Sequence, residues 1–267
     1  MSRIRETFNA LKERGEKGLI TYLMGGDPDL EQTGRLILAM VQAGADLVEV
    51  GIPFSDPLAD GPVIQAAANR ALAAGTTVDG ILEMVGEVCK QVNVPLVLMT
   101  YYNPVLQYGL DAFCRRAAEK GAAGLIVPDL PYEESGPLKQ RTDFYGLDLI
   151  PLVAPTSTPN RVAAICAQAR GFVYCVSVTG VTGMRETIET DLQALSDLVH
   201  RYTDLPVAIG FGVSGPETAA QVAPFCDAVV VGSVIVRLIA EGAYGEVGRL
   251  TASLKAALRP RAGIAGA

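Results

Sequence analysis

The chain holds 267 residues, 49% hydrophobic and 19% charged, a composition that folds around a large core and fits one α/β barrel or two ordinary domains. Lysine and arginine number 22 against 29 aspartate and glutamate, a net charge of −7 without a basic run, which argues against a nucleic-acid surface and against an acidic membrane. Five scattered cysteines without a CxxC pair and a single histidine, His200, leave little for a disulfide framework, a zinc site or a histidine-based triad.

The opening "MSRIRETFNALKERGEKG" reads as an amphipathic helix with Ile4, Phe8 and Leu11 on one face, not as a secretory leader. A first strand follows over 18–24, "GLITYLM", and then "LEQTGRLILAMVQAG", a helix that Gly44 stops. The second strand is "DLVEVGI", 46–52, and the long interval behind it accommodates an extra helix around 61–73. Further strands are expected over 95–102, 123–129, 147–155, 171–177, 206–212 and 227–233. Each is a continuous apolar run, as suits parallel strands covered on both faces. Between them, "LDAFCRRAAEKG" ends at Gly121, "TPNRVAAICAQARG" takes Thr158 as N-cap with Pro159 in its first turn, and "SGPETAAQVAPF" begins the same way at Ser214. "AVVVGSVIVRLIA" is too short and interrupted to span a bilayer, so a cytoplasmic protein is expected.

Strand then helix, eight times over, is the rhythm of an α/β fold of the (β/α)8 TIM-barrel kind. The expectation is a single domain over 1–267 with an extra N-terminal helix and additional helices after strands 2 and 8. A doubly wound sheet is the alternative, but "MGGDPD" after the first strand lacks the G-x-G-x-x-G spacing.

A barrel keeps its chemistry at the C-terminal ends of its strands. Glu49 lies near such an end, and Asp60 follows in the next loop. A strand-end glutamate can simply reach water, but between Val48, Val50 and Ile52 an enclosed carboxyl would have its pKa raised toward neutrality and could both give and take a proton. Asp60, before Gly61 and Pro62, equally suits a helix N-cap. Glycine-rich turns after strands seven and eight, with Gly210, Gly212 and Gly232, either permit tight turns or offer unpaired N–H groups to a phosphate. "SVTGVTGMRE", 177–186, with Gly180 and Gly183, has the composition of a lid. The lysines at 12, 17, 90, 120, 139 and 255 all fall on expected helices or their ends, away from a pocket that a Schiff-base aldolase would need.

"LVEVGIPFSDPLADGPVIQ" closely resembles the signature of the tryptophan synthase α chain family, and the resemblance extends over essentially the whole chain. "TYLMGGDPD", "TYYNPVLQYG", "VPDLPYEES", "YCVSVTGVTGMR", "PVAIGFGVS" and "VVGSVIV" complete the series in order. The resemblance implies a retro-aldol cleavage of indole-3-glycerol phosphate, with the indole ring as electron sink. It implies Glu49 as acid–base group, Asp60 as partner of the indole N–H, and Tyr174 and Thr182 as supporting residues. Tyr22 and Phe211 would wall the indole slot, while Gly183, Gly212, Gly232 and Ser233 would hold the phosphate. A β chain would join as partner in an α2β2 assembly, facing Pro53, Asp56, Pro57, Asn103 and Pro104, and carry the pyridoxal phosphate, leaving this chain without a cofactor. The alternatives are a stand-alone lyase releasing free indole, a barrel of another phosphate pathway, and an inactive partner that only activates β.

Overall fold

The computed structural model describes residues 2–176, 185–210 and 212–260, with 185–190 in backbone only. The first half runs α1 (Arg3–Glu13), β1 (Gly18–Met24), α2 (Leu30–Gln42), β2 (Leu47–Gly51), α3 (Pro62–Ala73), α4 (Val78–Cys89), β3 (Leu96–Met99), α5 (Tyr102–Tyr108), α6 (Leu110–Glu119), β4 (Gly124–Ile126) and α7 (Gly136–Tyr145). The second half runs β5 (Asp148–Leu149), β6 (Leu152–Val153), α8 (Pro159–Gln168), β7 (Val173–Val176), α9 (Arg185–His200), β8 (Val207–Gly210), α10 (Pro216–Val222), β9 (Ala228–Val231), α11 (Ser233–Ala240) and α12 (Tyr244–Ala257). The helix before the first strand and the additional helices behind β2 and β9 stand where the sequence places them.

All strand pairs are parallel, in the order β5-β4-β3-β2-β1-β9-β8-β7-β6. The two ends of this ladder are halves of one stretch of chain, so the sheet curls round and the backbone itself joins its edges. The run expected as one strand over 147–155 is cut in two, and Pro151 gives the reason, since it has no N–H to donate. Ile150 N–H makes the last bond to the β4 side, to Leu125 at 2.9 Å, and the Pro151 carbonyl makes the first to the β7 side, accepting from Tyr174 at 3.0 Å.

Side chains alternate along each strand, one set facing helices and the next facing the axis. Leu19, Leu23, Val48, Val50, Leu96 and Leu98 pack outward with the helix faces. Ile20, Leu47, Val97, Ile150, Phe172 and Ala228 turn inward and fill the floor of the barrel. Helix α1 closes that floor with Ile4, Phe8 and Leu11, and Phe8 meets Phe172 at 5.8 Å between ring centres. Each of the larger of these side chains contributes about 1.5–3 kcal/mol by leaving water.

The expected caps hold for α2, where Gly44 takes the left-handed conformation at φ +105°, for α6, where Gly121 does so at +80°, and for α8, where Thr158 accepts from Arg161 N–H. One cap differs. Helix α10 starts at Pro216 with Gly215, not Ser214, as N-cap, because the Thr218 hydroxyl accepts from the N–H groups of both Ser214 and Gly215, at 3.3 and 3.2 Å.

Lys255 on α12 ties the last helix to the first strand. It is 4% exposed and meets Asp46 at 2.8 Å, Glu16 at 3.0 Å and the Lys17 carbonyl at 3.3 Å, while Asp46 also accepts from Leu19 N–H. Removing one member of a buried ionic group leaves the others uncompensated. Lys255→Met is therefore expected to lower unfolding free energy by about 3 kcal/mol, read as a reduced urea midpoint at unchanged slope. The Lys255 ammonium holds the Glu16 carboxyl below its ordinary value of 4.5. Its contribution is present above that value and fades as pH falls through the lowered one, so the difference between variant and parent should shrink in acid.

Candidate active site

Register decides which side chains meet above the floor. Tyr22 on β1 lies opposite Glu49 on β2, and Glu49 opposite Val97 on β3; Tyr174 on β7 faces Ala208 on β8. One layer above the floor, Tyr22, Glu49, Met99 and Tyr174 border a cavity of about 370 Å³. Asp60, Gly212, Gly232 and Ser233 reach the same cavity from the loops beyond the strands. A larger cavity, about 460 Å³, opens beside α7 and α8, but its Lys139 and Arg161 are engaged by Asp143 and Glu133. The smaller space holds the unpartnered acid.

Glu49 is 1% exposed, and its Oε1 has no hydrogen-bond partner among the described residues. Loss of water alone pushes its carboxyl up to about 8. Such a group at neutral pH holds a proton that it can readily give up. The Tyr22 and Tyr174 hydroxyls, moved well above 10 first by burial and then by neighbouring carboxylates, stay neutral donors.

Asp60 is no N-cap. Helix α3 is capped at Gly61 without a side-chain bond, and the Asp60 carboxyl is free to face the cavity. Burial raises its pKa, and the Tyr101 hydroxyl beside it opposes that rise. Tyr101 itself is pinned by the Ala59 N–H, which donates to its oxygen at 2.9 Å, and by Phe54, at 5.5 Å between rings. Tyr101 is not among the residues expected at the site, although continuing by twos from Val97 and Met99 past the end of β3 reaches it.

Two turns close the opposite side. Gly212 after β8 has φ +40°, and Gly232 after β9 begins α11 with no side-chain cap, leaving first-turn N–H groups toward the cavity end of the helix. A methyl at Gly232 would stand 3.3 Å from Tyr22, so the bare backbone lets turn and aromatic approach closely. Arg237, on the same helix, also borders the cavity and was not singled out from sequence. Thr182, Gly183 and Phe211 lie outside the described residues, as does most of the 177–186 segment.

The expected partner face is divided. Asp56 and Asn103 are exposed, Pro57 and Pro104 half-buried, and Pro53 buried. Between them Leu58, on the loop after β2, and Leu106, on α5, are 92% and 50% exposed, a large apolar commitment to solvent at the barrel mouth. Among the described residues no three histidine, cysteine or acidic side chains converge as a metal site, and no helix is long and apolar enough to cross a membrane.

A family model described as tryptophan synthase alpha chain matches residues 8–259. The chain is 52% identical to the tryptophan synthase alpha chain of Carboxydothermus hydrogenoformans over 239 residues, 90% of each chain. It is 49% identical to that of Synechococcus elongatus over 259 residues, 97% of each. Among solved structures, tryptophan synthase subunit alpha from Legionella pneumophila superposes with a TM-score of 0.88 at 38% identity, covering 97% of this chain and 98% of the other.

Proposed function

The chain belongs to the tryptophan synthase alpha chain family, and from that premise we propose that Glu49 and Asp60 divide a single carbon–carbon cleavage between them. The activity is that of the α subunit, a lyase splitting indole-3-glycerol phosphate into indole and glyceraldehyde 3-phosphate. The Glu49 carboxyl protonates indole C3, which turns the ring into a cationic electron sink. Asp60 accepts the indole N–H and steadies the positive charge that develops there. The side-chain hydroxyl next to the breaking bond then gives its proton to Glu49 and becomes the aldehyde carbonyl. The electron pair of the broken C–C bond returns to the ring, restoring indole and leaving Glu49 protonated for the next turnover. No lysine borders the cavity, and in this scheme none is needed.

Tyr22, Phe211 and Tyr174 bound the indole and its reacting side chain, Gly183, Gly212, Gly232 and Ser233 hold the phosphate, and Thr182 meets Asp60 as the 177–186 segment covers the site. The partner is a β chain, proposed as α2β2, which receives the indole for L-tryptophan synthesis and owns the pyridoxal phosphate. Its docking face would be the loop of Asp56 and Pro57 and the first turn of α5 with Asn103 and Pro104, with Leu58 and Leu106 as apolar contacts and Pro53 supporting from beneath. The whole chain is taken as one domain working in the cytoplasm.

One observation carries the mechanism: a fully buried, unpartnered glutamate shares its cavity with a second carboxylate from the next loop. Indole formation from indole-3-glycerol phosphate, assayed with and without β chain, tests it. Addition of β is expected to raise the rate about tenfold or more by favouring the closed, competent state. A rapid reaction that β leaves unchanged would instead identify a stand-alone lyase.

A further inference from the structure

Among the described residues, Glu49, Asp60 and Arg237 are the charged side chains bordering the cavity, and Arg237 is the cation. No carboxylate pairs with it among the described residues, whereas most other arginines of the chain are engaged in ion pairs. It stands one helical turn after Ser233 on α11. Helical side chains lean back toward the N-terminus, so residues four apart lie over one another. Arg237 lies in the last turn of α11 and is exposed, yet it lines the same cavity as Gly232 and Ser233, so its side chain meets the cavity on one side and solvent on the other.

We propose that Arg237 is the side-chain counter-charge of the substrate's phosphate, pairing with the oxygens that the N–H groups of Gly212, Gly232 and Ser233 leave free. The assignment rests on the phosphate reading of those turns given above. Its physical need is plain: a dianion must enter a protein of net charge −7 and settle in a cavity that already holds Asp60. Neutral N–H groups orient such an anion, while a guanidinium supplies the opposite charge in a fork that fits two of its oxygens. The phosphate does not change during cleavage, so the interaction is equal in ground and transition states and acts on KM more than on kcat.

Kinetics of indole formation on the chain assembled with β test the assignment. Arg237→Gln is expected to raise KM for indole-3-glycerol phosphate about tenfold with a far smaller change in kcat. Arg237→Lys, which keeps a point charge without the fork, should recover part of that loss. The KM of the parent should rise with ionic strength more steeply than that of Arg237→Gln. Inorganic phosphate, used as a competing ligand, should inhibit the parent and inhibit Arg237→Gln several-fold more weakly. If phosphate competes with equal strength in both and KM is unchanged, Arg237 plays no part, although the turns still bind phosphate. If phosphate does not compete even in the parent, the reading of the turns fails and takes this proposal with it.

Discussion

Glu49→Gln is expected to abolish indole formation and at the same time to stabilise the folded chain. The first effect follows from the proton inventory. An amide can neither protonate C3 nor receive the hydroxyl proton, and a positioned acid–base group is worth about 10²–10⁴-fold, or several kcal/mol of barrier. A loss near the upper end, with β binding retained, is the anticipated result in a steady-state assay. Activity within about tenfold of the parent would remove Glu49 from the mechanism.

The second effect follows from linkage. In the folded chain the carboxyl titrates near 8, against an ordinary value of 4.5. Between those values the folded form keeps a proton that the unfolded chain has released, so folding grows less favourable as pH rises across the window. Glutamine removes this dependence. The variant should exceed the parent by roughly 4 kcal/mol at pH 8, with the difference closing toward pH 4, as read from urea midpoints at several pH values. Parallel stability curves for the two proteins would mean that Glu49 is not desolvated as described.

Gly210→Ala should also damage catalysis, though less severely, without touching a reacting group. A methyl there would overlap the Tyr174 hydroxyl and approach its ring carbons to 2.9 Å. Strand β8 cannot retreat, because it is bonded to β7 and β9 on either side. The ring must therefore tip into the cavity beside Glu49, taking space from the reacting side chain of the substrate. A displacement of about 1 Å at a reacting centre can cost about 10²-fold, and that is the expected fall in kcat/KM. Tyr174→Leu in the same chain removes the ring and should restore part of the activity, giving a non-additive double-mutant cycle. Additive losses would show that the two positions do not press on each other.

Much of this site was legible before any coordinates. An acid in the middle of an apolar strand is costly unless it serves a purpose, and Glu49 declared itself that way. Asp60 did not, since a residue ahead of Gly61 and Pro62 suits a cap as well as a cavity; only the Gly61 cap and the neighbouring Tyr101 decide the matter. Tyr101 and Arg237 escaped because their importance depends on which faces of separate elements converge, and periodicity tells the face of an element but not its neighbour. The break at Pro151 was visible as a proline inside an apolar run. A single strand through it would need the donor that Pro151 lacks, and the hand-over from β4 to β7 is what that donor's absence produces.

That hand-over makes the hoop of strands unequal around its circumference. β1 and β2 are joined over five registered residue pairs, whereas β5 meets β4, β6 meets β7 and β8 meets β9 over only two each. Thermal breathing of the mouth would concentrate at these thin joints, above all on the β5 and β6 flank, behind which the 460 Å³ void leaves α7 and α8 room to shift. Glu49 and Tyr22 sit across from it on the most firmly bonded arc. The chain thus keeps its proposed proton-transfer group on the stiffest arc of the ring.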